Sequence, residues 1–171
     1  MWLANALRIL EMPSQRPGKE IQFHYLRPIH IKGKQIIKEI LGRILSDAHK
    51  SGYLVNYVFC SDKYLLGLNR KHLGHDYLTD IITFDLSDTS GETRADVYIS
   101  VDRVKDNARS FSRPMSEEIV RVIFHGALHL AGFGDGSIKE EKEMRVMEDK
   151  YLKLYKGKSS ARNHIQVRKG S

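Results

Sequence analysis

Two histidines stand four residues apart in the segment FHGALHLAGFGD, which covers residues 124–135. The apolar spacing around them predicts a helix, so His125 and His129 project from one helix face about one turn apart. Two imidazoles at this spacing can bind one metal ion, as in the two-histidine helices of zinc hydrolases. The pair taken alone fits two rings that are hydrogen-bonded in a protein core better than it fits a metal site.

The loop after this helix supplies a third candidate ligand. Gly132 is expected to end the helix, and Gly134 is expected to turn the backbone with a positive φ, so that Asp135 reaches back towards the histidines. Three protein ligands leave a fourth coordination position open, which is typical of a catalytic zinc rather than a structural one. Position 126, where a metallopeptidase carries glutamate as general base, is a glycine, so a peptidase is disfavoured.

Alternating and helical apolar patterns predict the elements that must position these residues. Ser61 is expected to cap a helix at its N-terminus, and Gly52 to follow the C-terminus of the first helix. Strands are expected at 21–26, 53–60, 81–86 and from 95 onward, and helices at 31–50, 62–72, 102–112, 116–131 and 139–155. This order predicts one α+β (α/β) domain, a mixed sheet of about four strands flanked by five or so helices.

The termini are expected to lie outside this domain. Residues 1–20 are interpreted as an N-terminal extension, 21–157 as the metal-dependent domain, and 158–171 as a mobile basic C-terminal tail. The first twenty residues lack the layout of a secretory signal, and no apolar run is long enough to cross a bilayer. Membrane attachment is therefore not expected.

Net charge and cysteine content limit the class of binding partner and the cellular compartment that we expect. Lys and Arg number 28 against 21 Asp and Glu, a formal net charge of +7. This excess fits a polyanionic partner such as RNA, although a basic protein without such a partner fits equally well. Cys60 is the only cysteine, which excludes an internal disulfide and favours a reducing cytoplasm. Cys60 itself is expected to be a small buried hydrophobe.

Three blocks resemble one protein family. HGALHLAGFGD is similar to the H-G-x-L-H-L-x-G-Y-D-H signature of the YbeY family of bacterial endoribonucleases. LNRKHLGHDYLTDIITFD resembles the family's L-N-x-x-x-R-G-x-D-x-P-T-D-V-L-S-F, and ADVYIS resembles its G-D-I-x-I-S strand. The order and spacing of the blocks match over roughly residues 21–155. The resemblance implies a zinc-dependent hydrolase that cuts single-stranded RNA, in 16S rRNA 3′-end maturation and late-stage ribosome quality control.

The resemblance also implies a cofactor and partners. One zinc ion per chain would be bound by His125, His129 and Asp135, although the family usually carries histidine where this chain has Asp135. Aspartate is a competent zinc ligand, and its charge should make the ion less electrophilic and widen tolerance towards manganese or iron. The implied partners are RNA, especially 16S rRNA, the small ribosomal subunit and assembly proteins. The sequence does not indicate an oligomeric state.

A second departure affects RNA binding. Leu73 occupies the place of the family's arginine, which is associated with RNA handling. Arg70 lies three residues earlier on the same short helix and could present a guanidinium nearby, or be an ordinary solvated charge. Lys71 and His75 are the other candidates for contact with RNA.

The surrounding polar residues have two interpretations. Thr79 and Asp80 stand at the start of one strand and Asp96 on its neighbour, where they either order the site through hydrogen bonds or cap strand ends. The ion would lower the pKa of a bound water. No general base is identified, since Gly126 cannot serve. Attack by water and attack by the RNA 2′-hydroxyl both remain open.

Two other functions remain compatible with the sequence. The chain could be a ribosome-assembly binding factor whose metal is mainly structural. It could also be a metal hydrolase of a small substrate, which a narrow pocket would favour over an open basic groove.

Overall fold

The computed structural model describes residues 18–48, 52–88 and 92–169. The strands are β1 (Lys19–Tyr25), β2 (Tyr53–Cys60), β3 (Ile81–Asp85) and β4 (Thr93–Ser100). The α-helices are α1 (Lys34–Asp47), α2 (Asp62–Leu68), α3 (Val101–Ser110), α4 (Met115–Leu130) and α5 (Ile138–Lys169), and a π-helical turn (Asn69–Leu73) extends α2. The predicted α+β class and order of elements are confirmed.

The strands form one mixed sheet in the order β1-β2-β4-β3. β1 pairs in parallel with β2 and β2 in parallel with β4, whereas β3 is antiparallel to β4. β3 is therefore an edge strand, and its first residue follows the loop that contains Thr79 and Asp80. This edge of the sheet is the one on which the candidate histidines lie.

Side-chain alternation divides the sheet into two faces. One face of β2 and β4 buries residues such as Val55, Tyr57 and Val97 against α1, α4 and α5, which form the main core. The opposite face carries a smaller cluster in which Cys60, Leu65 and Ile82 are buried. Cys60 is thus a core residue as expected, and burial raises the pKa of its thiol to about 12.

Helix α4 crosses the sheet at Gly126. A Cβ at this position would lie 2.9 Å from both Ile81 Cδ1 and Val97 Cγ1, closer than side chains normally pack. Glycine therefore permits the close approach that places His125 and His129 at the rim of the sheet. The same contact leaves no room for a glutamate side chain, so space as well as chemistry argues against a metallopeptidase site.

Two predicted boundaries are wrong. Helix α5 continues to Lys169 instead of ending at Tyr155, so residues 158–169 of the predicted mobile tail are helical, and residues 170–171 lie outside the described part of the chain. Its added turns contact α1, where Lys158 Nζ and Arg162 Nη2 lie 3.1 and 3.2 Å from the Glu39 carboxylate. Helix α1 is capped at Ala48, and the Gly52 carbonyl instead accepts a hydrogen bond from Thr93 N (2.9 Å).

The predicted N-terminal extension is described only at its end. Strand β1 begins at Lys19, just inside the interval 1–20, and residues 1–17 lie outside the described part of the chain. Within the residues that the structure describes, none of the helices is both long and apolar enough to cross a membrane.

Candidate metal centre

The end of α4 forms the turn that returns the chain towards the histidines. Gly132 adopts φ 95°, its N–H donates to the His129 carbonyl (2.9 Å), and Phe133 N–H donates to the Leu128 carbonyl (3.0 Å). This pattern is a glycine-terminated helix C-cap. The expectation that Gly134 supplies the positive φ is therefore wrong, because that role belongs to Gly132. Gly134 instead leaves room for the Glu140 carboxylate, 2.7 Å from where a Cβ would stand.

The turn brings Asp135 to both histidines. The Nε2 atoms of His125 and His129 lie 2.9 Å apart. Asp135 Oδ2 lies 3.7 Å from His125 Nε2 and 3.4 Å from His129 Nε2. The structure thus brings the three predicted ligands together near the protein surface. Asp135 is half exposed and both histidines are partly buried.

Hydrogen bonds fix the orientation of both rings. His129 Nδ1 lies 3.0 Å from the Phe133 carbonyl, which can only accept, so this nitrogen carries the proton. His125 Nδ1 lies 2.8 Å from Glu148 Oε1 and donates to that carboxylate. Both Nε2 atoms are then left with lone pairs that point at each other, which is the tautomer of a metal-binding histidine.

This donor set fits a divalent metal ion. Ligand atoms held tetrahedrally at about 2.0–2.2 Å from zinc lie roughly 3.3–3.6 Å from each other. The three observed separations of 2.9, 3.4 and 3.7 Å bracket that range. At 2.9 Å the two Nε2 atoms are also within hydrogen-bond distance, so either a metal ion or a single proton between them would remove the repulsion of their lone pairs. The nitrogen and oxygen donors suit zinc and do not exclude manganese or iron.

Glu148 on α5 is a site residue that the sequence analysis missed. It is only 8% exposed. One of its oxygens receives His125 Nδ1–H, and the other lies 3.0 Å from Arg121 Nη1, one helical turn before His125 on α4. Arg121 Nη2 also reaches Asp149 Oδ1 at 2.7 Å. Such a carboxylate–histidine pair orients the ring and raises its strength as a ligand.

The charges of this network are mutually stabilised. Burial alone would raise the pKa of Glu148, but hydrogen bonds from His125 and Arg121 outweigh burial and hold its pKa below the usual value. Burial lowers the pKa of His125, and the hydrogen bond and charge of Glu148 outweigh that effect, so its pKa is raised. Glu148 is therefore an ionised carboxylate at neutral pH.

A signal for Glu148 was present in the sequence. In α5 the positions 144, 148, 151 and 155 fall on one helical face, and three of them are the apolar or aromatic residues Met144, Tyr151 and Tyr155. An acid within such a stripe must be paired if it is buried. The pattern does not, however, show which residue of another helix is the partner.

Two clefts meet at the histidine pair, of about 610 Å³ and 520 Å³, and three residues line both of them, His125, Asp135 and Asp80. The first cleft contains more acids than arginines, and among the described residues no lysine or arginine lines the second. Neither cleft is therefore predominantly basic in the part of the chain that the structure describes. A phosphodiester would be repelled by these carboxylates unless a bound cation reverses the local charge.

The predicted RNA-contacting residues separate into two groups. His75 and Leu73 line the second cleft. Arg70 does not, since its Nε lies 2.6 Å from Asp76 Oδ1 in an exposed ion pair. Lys71 is exposed on the π-helical turn and is not among the residues that line either cleft. Among the described residues, no guanidinium thus lines the second cleft, where Leu73 stands in place of the family's arginine.

The three polar residues at the strand ends also differ in position. Asp80 lies at the site, where its Oδ2 accepts from Asn107 Nδ2 (2.9 Å). Thr79 donates to the Ile81 carbonyl (3.2 Å) and lines the second cleft. Asp96 is buried on the sheet face opposite α4, where its carboxylate accepts from Asn56 Nδ2 (2.9 Å). The structure does not bring Asp96 to the histidines.

Comparisons with known proteins agree on one family. The family model described as endoribonuclease YbeY matches residues 24–156. An endoribonuclease YbeY of Cytophaga hutchinsonii is 52% identical over 60% of this chain and 71% of its own length. One of Flavobacterium psychrophilum is 41% identical over 79% of this chain and 96% of its own length.

A solved structure agrees on the fold. The solution structure of a Thermotoga maritima protein superposes with a TM-score of 0.57 at 28% sequence identity. The match covers 84% of this chain and 93% of that one.

Proposed function

The chain belongs to the YbeY family of endoribonucleases, and on that basis we propose that it cuts single-stranded RNA with one zinc ion per chain. The ligands in this proposal are His125, His129 and Asp135. The observation that carries the proposal is the convergence of His125 Nε2, His129 Nε2 and Asp135 Oδ2 within 4.8 Å of one another. Manganese or iron at the same three atoms is compatible with the donor set.

In this proposal the ion and the protein residues have separate roles in RNA cleavage. A bound divalent ion would act as a Lewis acid towards a phosphoryl oxygen of the RNA. The chain holds the rings in place, since the Nδ1–H groups of His125 and His129 donate to Glu148 and to the Phe133 carbonyl. Asp80 lines both clefts and accepts a hydrogen bond from Asn107, which lines the first, and we propose that the two residues order the site rather than bind the ion. We keep the same ordering role for Thr79.

The cellular role follows from the family and from charge. We propose that the substrate is 16S rRNA, in 3′-end maturation and late-stage quality control of the small ribosomal subunit in the cytoplasm, together with assembly proteins. Residues 21–157 would carry the activity, with 1–20 and the basic segment 158–171 outside the catalytic unit. The net charge of +7 supports binding to a polyanion, and Arg113, Arg121 and Arg145 line the first cleft beside its more numerous acids.

A cleavage assay tests the proposal against the ribosome-assembly factor. The zinc-loaded full chain is incubated with a single-stranded RNA and with the same sequence as a duplex. We expect cleavage of the single strand, little cleavage of the duplex, and none by the Asp135→Ala variant, because that variant retains only two ligands.

Two results would contradict the proposal. If the zinc-loaded wild-type chain does not cut single-stranded RNA but binds it, the assembly factor with a structural metal is favoured. If Asp135→Ala cuts as fast as the wild type, cleavage does not depend on the proposed ligand set. Circular dichroism of each variant checks that a variant without cleavage activity is still folded.

A further inference from the structure

Two exposed aromatic rings, those of His75 and Tyr77, stack on each other in the loop between the π-helical turn and β3. The ring centroids of His75 and Tyr77 are 5.1 Å apart and their planes differ by 22°. The Tyr77 hydroxyl shares a hydrogen bond with His75 Nδ1 at 3.1 Å. Tyr77 is nevertheless 58% exposed, so a large part of the tyrosine surface remains open. This open aromatic surface can contact a planar group of a ligand.

The backbone beneath the stack is fixed from both sides by one buried residue. Asn69 is 1% exposed, and its Nδ2 donates to the Tyr77 carbonyl at 2.9 Å. The Asn69 carbonyl accepts from His75 N–H at 3.3 Å. Gly74, with φ 69°, makes the turn that leads from the π-helical turn into this loop. The two rings are therefore held in place before any ligand binds.

The stack faces the candidate metal centre. His75, Tyr77 and Leu73 line the same cleft of about 520 Å³ as His125, His129 and Asp135. That volume lies within the range of small-ligand sites. Leu73 is 46% exposed, so this wall offers apolar and aromatic surface. A planar apolar group suits such a wall better than a phosphate does.

We infer that the His75–Tyr77 stack is a nucleobase subsite, on which one unpaired base of the RNA stacks while a neighbouring phosphate lies at the metal centre. The inference rests on the proposed endoribonuclease function and adds to it the part of the substrate that this cleft recognises. A base can stack on a protein ring only when it is not paired and stacked in a duplex. The subsite therefore gives a physical reason for preferring single-stranded RNA.

Steady-state cleavage by the zinc-loaded full chain tests the subsite. Base–aromatic stacking contributes roughly 1–3 kcal/mol, so Tyr77→Ala should raise KM about 5- to 160-fold with a smaller change in kcat. Tyr77→Phe keeps the ring and should stay within about threefold of the wild type. Tyr25→Ala is the matched control, because Tyr25 is also partly exposed, at 40%, but lies outside both clefts.

An abasic scan identifies the base that stacks. RNAs carrying one abasic nucleotide at successive positions are cut by the wild type and by Tyr77→Ala. One position should raise KM for the wild type but add nothing further in Tyr77→Ala, as expected for two partners of one contact. An unchanged KM in Tyr77→Ala, while the wild type cuts RNA normally, overturns the subsite alone. A wild type that neither binds nor cuts single-stranded RNA overturns the proposed function and the subsite with it.

Discussion

His129→Ala is expected to lose metal-dependent RNA cleavage almost completely, by about 1,000-fold or more in kcat/KM. Metal-ion catalysis contributes several kcal/mol to the transition state, and 4 kcal/mol corresponds to about three orders of magnitude in rate. His129 lies in the last turn of α4. Its Nε2 atom is 2.9 Å from the Nε2 atom of His125. Without this nitrogen only His125 and Asp135 remain as ligands.

The measurement is kcat/KM on a single-stranded RNA with one equivalent of zinc, together with the thermal unfolding midpoint. His129 is partly exposed, with a side-chain relative exposure of 29%, so its removal should leave the fold intact. His30→Ala, at an exposed histidine outside the two clefts, is the matched control and should keep full activity.

Asp135→His complements this variant, because it installs the ligand that the family usually carries and should keep zinc and cleavage. A His129→Ala variant that retains a tenth or more of wild-type kcat/KM would contradict the role of this residue.

Glu148→Gln is expected to weaken zinc binding about 10- to 100-fold, the usual effect of removing a hydrogen-bond partner of a ligand. The carboxylate accepts from His125 Nδ1–H with one oxygen and from Arg121 with the other. An amide has one accepting oxygen and no charge, so it cannot serve both partners. The His125 ring then loses its fixed orientation and part of its basicity.

Competition with a chromophoric zinc chelator measures this affinity directly and does not depend on RNA cleavage. Asp149→Asn is the matched control, since Asp149 also binds Arg121 but is exposed and does not contact His125. We expect Asp149→Asn to bind zinc like the wild type. Equal zinc affinity in Glu148→Gln and the wild type, or equal losses in both variants, would remove Glu148 from the metal centre.

Local patterns predicted most of the fold and the core of the site. The four-residue spacing of His125 and His129 needs only a helix to bring them together. The predicted cap at Ser61 is also local, and its Oγ accepts from Tyr64 N at 3.3 Å. Asp135 was found because the glycine-rich turn is encoded within a few residues of the helix end. These features depend on contacts between neighbours in sequence.

Features that depend on packing between distant elements were not predicted. Glu148 meets His125 across two helices that are separated in sequence, and no local rule pairs them. Asp96 was a candidate for ordering the site because it was expected at the start of the neighbouring strand, yet strand alternation turns it to the far face, since its neighbour Val97 contacts α4. The added turns of α5 likewise contact a distant element, since Lys158 and Arg162 form ion pairs with Glu39 of α1.

Leu73, which stands where the family carries an arginine, changes the chemical character of the second cleft. An arginine there would have offered charge to a phosphate, whereas Leu73 adds apolar surface next to Tyr77. In this chain acids outnumber arginines in the first cleft, so attraction of a phosphate to the metal centre depends on the bound cation. We therefore expect the activity to depend on the ion more strongly than it would in a basic active site.

Zinc titration of the metal-stripped full chain, with single-stranded RNA cleavage followed at each addition, tests the central claim most directly. One ion held by His125, His129 and Asp135 predicts that cleavage is absent at the start, rises in proportion to added zinc and levels at one ion per chain. Undiminished cleavage by the stripped chain in the presence of excess chelator would contradict the account.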